Sequence, residues 1–103
     1  MNEWVAERKL LCTLRASNEK SELFVRVGAP YTVQPSSVSF DVTPVTSGCT
    51  VEVSGAGLHI SETTYGADSI QALQLASNVD PILRRVSKNY DLFFSDGEPY
   101  FEE

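Results

Sequence analysis

The sequence predicts an α+β domain. It would hold an antiparallel meander of five to six strands, one amphipathic helix over about 68–88 packed on one face of the sheet, and a C-terminal strand or hairpin. Three observations carry this prediction. Residues 4–60 repeat their apolar side chains with period 2 in short runs divided by turn residues. Residues 72–86 switch to a helical period behind an N-terminal cap. The chain has 103 residues, 42% of them hydrophobic, which suits one core and a single domain over 1–103 and argues against disorder.

In residues 4–14, Trp4, Ala6, Leu10, Cys12 and Leu14 share a face that Arg8 interrupts, and Val5 and Leu11 point the other way among Glu7, Lys9 and Thr13. Ala16 to Lys20 reads as a hairpin loop. Leu23, Val25 and Val27 then point inward, with Phe24 and Arg26 outward, and Gly28-Ala29-Pro30 ends or bends that strand. Residues 37–43 set Val38, Phe40 and Val42 against polar neighbours, among them Asp41. Residues 49–54 do the same with Cys49, Val51 and Val53. Gly55-Ala56-Gly57 turns the chain into a fifth strand opened by Leu58 and Ile60. Short strands with tight connections favour antiparallel pairing of neighbours.

Asp68-Ser69-Ile70-Gln71 fits a capping box. The Asp68 carboxylate accepts from the Gln71 amide, and the Gln71 side chain reaches back to the Asp68 N–H. Gly66 suits a sharp strand-to-helix turn. At 100° per residue, Ala72, Leu75, Ala76, Val79, Ile82, Leu83 and Val86 form one stripe. Pro81 interrupts the backbone but not the stripe. Either one helix kinks there, or a first helix ends near Asn78 and a second starts with Asp80 as N-cap and Pro81 at the first position. Arg84, Arg85 and Lys88 occupy the last turn, where cations suit the helix dipole. Asp96-Gly97 is a turn between Leu92-Phe93-Phe94 and Tyr100-Phe101, so the chain ends in a sixth strand with a short seventh as its hairpin partner.

The net charge is −6, from 14 acids and 8 bases. That balance disfavours binding to nucleic acid or to an anionic membrane surface. The excess lies in the second half, since residues 1–50 hold five acids and five bases. No run approaches the roughly 20 apolar residues of a membrane span, and the first residues lack the basic and apolar regions of a secretory signal. Two cysteines are too few for a disulfide framework, so the expected compartment is the cytoplasm with both thiols reduced.

Neither a cofactor fingerprint nor a catalytic motif occurs, and no cofactor is expected. The lone His59 lies on the polar face of its strand with no second histidine, so no metal site is expected. Cys12 and Cys49 read as buried small hydrophobes. A bridge between them requires neighbouring strands. No catalytic residue is assigned, and an enzyme is the least favoured reading.

The candidate partner-binding residues form three groups. Ile70 and Leu73 fall off the apolar stripe and, with Gln74, give the outer helix face a mixed character. Leu73 reads equally well as a cover for the sheet edge or the Tyr65 region. Phe24, with Leu11 and Val5, marks the sheet face that one helix leaves open. Asp41, Glu52 and Glu62 alternate outward from three strands; they read as solvated strand carboxylates or, alternatively, as an acidic patch lining one sheet face for a basic partner. The reading that follows is a protein-binding domain whose partner offers a basic surface, or is a second copy of the chain. Its rivals are an acidic nucleic-acid mimic, a structural homodimer and a small enzyme.

The stretch Gly66-Ala67-Asp68-Ser69-Ile70-Gln71-Ala72-Leu73-Gln74-Leu75-Ala76 resembles the signature of a family of short bacterial proteins of unknown function. Ala6-Glu7-Arg8, Arg26-Val27-Gly28-Ala29-Pro30 and Cys49-Thr50-Val51-Glu52-Val53 resemble its other pieces in the same order, over roughly residues 4–86. The chain departs from that pattern at Pro81, in the longer segment before Cys49 and in its aromatic end. The resemblance implies an α+β fold and a bacterial or phage origin, and it implies no activity. Some such domains resemble the small immunity or antitoxin proteins that accompany bacterial toxins, which makes an immunity-like inhibitor the sharpest form of the protein-binding reading.

Overall fold

Alternation builds the first two strands, β1 (Trp4–Leu14) and β2 (Lys20–Gly28), joined by the polar loop at 15–19. The loop closes with the Ser17 and Asn18 amides donating to the Leu14 carbonyl, Asn18 taking a φ of 57°. The computed structural model describes residues 4–33 and 46–101. The strand expected at 37–43, with Val38, Asp41 and its other residues, lies outside the described residues. The remaining elements are β3 (Tyr31–Thr32), β4 (Ser47–Gly55), β5 (Leu58–Gly66), α1 (Ser69–Ser77), α2 (Asp80–Val86) and β6 (Tyr90–Phe93).

These strands form one antiparallel sheet. β1, β2, β4 and β5 are successive neighbours, and β6 returns to pair with β1 at the other edge. β3 continues the line of β2 along β4. Val27 pairs with Val51 but Tyr31 with Gly48, one residue out of register, and the bulge falls at the expected Gly28-Ala29-Pro30 break. The Gly28 carbonyl accepts a hydrogen bond from the Cys49 thiol at 3.1 Å.

The register divides the strands into two faces. Leu10, Cys12, Leu23, Val25, Val27, Cys49, Val51, Val53 and Leu92 are buried beneath the helices together with Ala72, Ala76, Val79, Ile82, Leu83 and Val86. Burial of each large apolar side chain contributes about 1.5–3 kcal/mol. The β1–β2 register shifts between Trp4 and Ala6, placing Trp4 opposite Gly28. Trp4 therefore joins Phe24 and Arg26 on the helix-free face instead of Leu10 and Cys12.

The cap of α1 forms as expected, with Asp68 Oδ1 accepting from the Gln71 amide at 2.8 Å. The return bond differs by one residue, because Gln71 Oε1 accepts from the Ala67 N–H at 2.6 Å, not from Asp68. Gly66 is required by closeness: a Cβ there would stand 2.6 Å from the Ala72 nitrogen. Thr64 donates to the Ala72 carbonyl and clamps this helix start to β5. The helix breaks at Asn78-Val79, and α2 restarts with Val79 as its flanking residue and Pro81 in its first turn. Asp80 is thus inside α2 and not its cap. Its carboxylate accepts from the Tyr100 hydroxyl at 2.7 Å, and Arg8 donates to that same hydroxyl at 2.7 Å. The charge that interrupts the apolar face of β1 thereby ties β1 to α2. Beyond β6, the Asp96-Gly97 turn forms, and the expected seventh strand is reduced to a bridge between Phe93 and Pro99.

Candidate functional site: the helix-free face of the sheet

Two helices cover one face of the sheet and leave the other to a mixture of apolar and charged side chains. Alternation places Leu11, Phe24 and Phe93 on this open face, all half-buried, with Glu7, Lys9, Glu22, Arg26, Glu52 and His59 around them. Arg26 Nε donates to Glu7 Oε2 at 2.5 Å across the β1–β2 pair. The same guanidinium lies over the Phe24 ring, 5.2 Å from its centroid. Lys9 pairs with Glu22, and His59 Nε2 meets Glu52 Oε2 at 3.2 Å. Each of these carboxylates thus stands against an arginine, lysine or histidine of the adjacent strand. Val5 is 53% exposed at the bulge of β1.

The expected site residues divide between separate places. Phe24 and Glu52 share the open face. Glu62 does not join them: it pairs with Val51 across β4–β5, which puts it on the helix side, where Arg85 Nη2 donates to its Oε2 at 2.5 Å. The acidic patch of Asp41, Glu52 and Glu62 on one face is therefore not formed by Glu52 and Glu62, and Asp41 lies outside the described residues. On α1, Ile70 is 68% exposed and Gln74 is exposed, as expected of an outer face. Leu73 is half-buried and packs against the core, while Leu75, expected in the apolar stripe, is 48% exposed.

Sequence reasoning missed the cleft between the end of α2, β6 and the C-terminal turn. It measures about 340 Å³ and is lined by Arg15, Arg84, Tyr90, Phe93, Pro99 and Phe101 among others. Arg84 stacks on Phe101 with 3.8 Å to the ring centroid, and Arg15 pairs with Asp91 at 3.1 Å. Its walls come from residues some 85 positions apart in the chain, and no local pattern announces such a meeting.

Both thiols are free and buried in the core. β2 lies between β1 and β4, so Cys12 and Cys49 are not on neighbouring strands and the conditional bridge lacks its condition. Burial pushes both thiols above their ordinary value of 9.0. It also raises Tyr100, helped by the hydrogen bond to Asp80 and opposed by Arg8. These shifts fix a sign. The unfolded chain loses the thiol protons near pH 9.0, whereas the folded chain holds them to higher pH. Their contribution to stability is complete below that value and is lost as pH rises through the folded values. The urea midpoint is expected to fall above pH 9, and a Cys12→Ala/Cys49→Ala variant to show a flatter slope until Tyr100 titrates.

Among the described residues, no cluster of three His, Cys, Asp or Glu side chains is arranged to hold a metal ion, and no helix is long and apolar enough to cross a membrane. Comparison with family models, with curated proteins and with solved structures finds no match for the chain.

Proposed function

We propose that this chain is a protein-binding domain that meets its partner with the helix-free face of its sheet. The observation that carries the reading is the Leu11–Phe24–Phe93 surface with Arg26 laid over Phe24 and held by Glu7. Aromatic side chains and arginine supply most of the energy at protein interfaces, and a guanidinium already oriented costs less to order on binding. An immunity-like inhibitor of a basic protein is the sharpest form of this reading.

The pairing of the open-face carboxylates refines it. On the open face the carboxylates already have cationic or histidine partners. This favours an apolar and aromatic anchor over a phosphate-like array of bare carboxylates, and so favours a protein inhibitor over a nucleic-acid mimic.

The test is affinity capture from a lysate of the source cell at low and high salt, using the parent, Phe24→Glu and Ile70→Glu. The parent and Ile70→Glu are expected to recover the same protein, with only modest weakening by salt. Phe24→Glu is expected to lose it, since removal of a central anchor costs about 2 kcal/mol, roughly 30-fold in affinity. Equal recovery with Phe24→Glu, or recovery of nothing by the parent at either salt, overturns the reading.

A further inference from the structure

The two edges of the sheet are treated differently. At the β6 edge the chain folds back on itself: the Tyr100 amide donates to the Leu92 carbonyl at 2.9 Å, and Phe93 bridges to Pro99. At the other edge, β5 pairs with β4 alone among the described residues. The β4–β5 turn fixes which of its groups face outward. Gly55 and Leu58 flank the two-residue turn Ala56-Gly57 and form a hydrogen-bonded pair, so Leu58, Ile60, Glu62 and Thr64 direct their main-chain groups to β4. The N–H and C=O groups of His59, Ser61 and Thr63 point away from the sheet. No described residue hydrogen-bonds to them.

Sheets usually protect such an edge with proline, lysine, a bulge or a short strand. Of the devices a strand can itself carry, β5 has only an inward-pointing charge, Glu62. It runs nine residues without a register shift, and its sequence contains no proline, lysine or arginine. Its one carboxylate, Glu62, is already held by Arg85 of the same chain.

We propose that β5 pairs antiparallel with β5 of a second copy, with Ser61 on the two-fold axis. The side chains make this register self-complementary. Ser61 faces Ser61 of the second copy and His59 faces Thr63 on the open side. Ile60 faces Glu62 and Leu58 faces Thr64 on the helix side. No like charges stand opposite each other. Sliding each strand by one residue sets Glu62 against Glu62 in one direction, which opposed carboxylates disfavour, and Ile60 against Ile60 with Leu58 facing Glu62 in the other. An isologous pairing of this kind closes on itself and joins two sheets into one, with both helix layers on the same side. It leaves Phe24 and Arg26 uncovered, so it stands independently of the partner-binding face. Because an edge contact buries less than the roughly 1,200 Å² of a standard interface, the dimer is weak and depends on concentration.

Sedimentation velocity over a concentration series tests this. The parent is expected to move from 11.3 kDa towards twice that mass as concentration rises. Ser61→Pro deletes one outward N–H and no bond of the β4–β5 ladder, so it is expected to stay monomeric with an unchanged far-UV spectrum. Phe24→Glu is expected to dimerise like the parent. Should Ser61→Pro fail to fold, hydrogen exchange of the parent replaces it: the His59, Ser61 and Thr63 amides are expected to slow as concentration rises. A parent that stays at 11.3 kDa throughout, a dimer retained by folded Ser61→Pro, or exchange at these three amides that ignores concentration overturns the proposal.

Discussion

Gly55→Ala is expected to cost the domain about 3 kcal/mol or more, from two additive causes. Gly55 sits at a φ of 115°, a region that residues with a Cβ avoid at a cost of roughly 1–2 kcal/mol. The added Cβ would also stand 2.3 Å from the Glu22 carbonyl oxygen, a backbone atom of the neighbouring strand that cannot swing away. Relief requires β2 and β4 to part where Phe24 pairs with Ser54. Gly57→Ala is the control. Gly57 also has a positive φ, 80°, but its Cβ would meet nothing within 4 Å, so only the conformational cost applies. Thermal melts of the two variants separate the clash from the strain, at roughly 4–8 °C per kcal/mol for a domain of this size. Equal melting temperatures would show that the strand pair yields freely.

Leu83→Ala is expected to lose about 3–5 kcal/mol, the range for emptying a leucine site in a closed core. Leu83 is 0% exposed and belongs to the buried cluster beneath α2. α2 has only seven residues, too few to persist without its packing, so the loss reaches beyond the cavity. Leu75→Ala is the companion. The apolar periodicity places both leucines in one stripe and predicts similar losses. The structure leaves Leu75 48% exposed and predicts a change under about 0.5 kcal/mol. Chemical denaturation of both variants decides between the helical wheel and the observed packing.

That contrast shows where the sequence was readable. Cap, turns and strand alternation are local and could be read from the residues: Asp68 caps α1, Gly55-Ala56-Gly57 turns β4 into β5, and the break near Pro81 falls between the two helices. Leu73 and Leu75 were not distinguishable. Within α1 alone, each lies about 80° from the middle of the Ala72–Ala76 face, so the wheel is symmetric between them. Extending the wheel through the break favours Leu75, but the axis does not continue across Asn78-Val79. Strict alternation puts Trp4 and Glu62 on the wrong faces for related reasons. The shift before Ala6 resets the period of β1 with no glycine or proline to mark it. Glu62 follows the inward phase of Leu58 and Ile60, and what makes a carboxylate acceptable there is Arg85, 23 residues away.

The open face was partly legible. Phe24 is apolar at an outward position and stood out for that reason. Arg26, which gives Phe24 its partner, did not stand out, because an arginine alternating with valines reads as an ordinary solvent-facing charge. Its meaning comes from Glu7 across the strand pair and from its position over the Phe24 ring.

The place of β6 bears on the order in which the chain assembles. β1, β2, β4 and β5 each find a partner close along the chain, so their pairings close short loops. β6 joins β1 only after nearly 80 intervening residues have been laid down, with Leu92 coming to rest opposite Cys12. Loop closure of that length carries a larger entropic cost, repaid only once the four-strand meander and the helices are in position to bring the ends together. On that ground the docking of β6 onto β1 is expected to come late in folding, after the four-strand meander has formed.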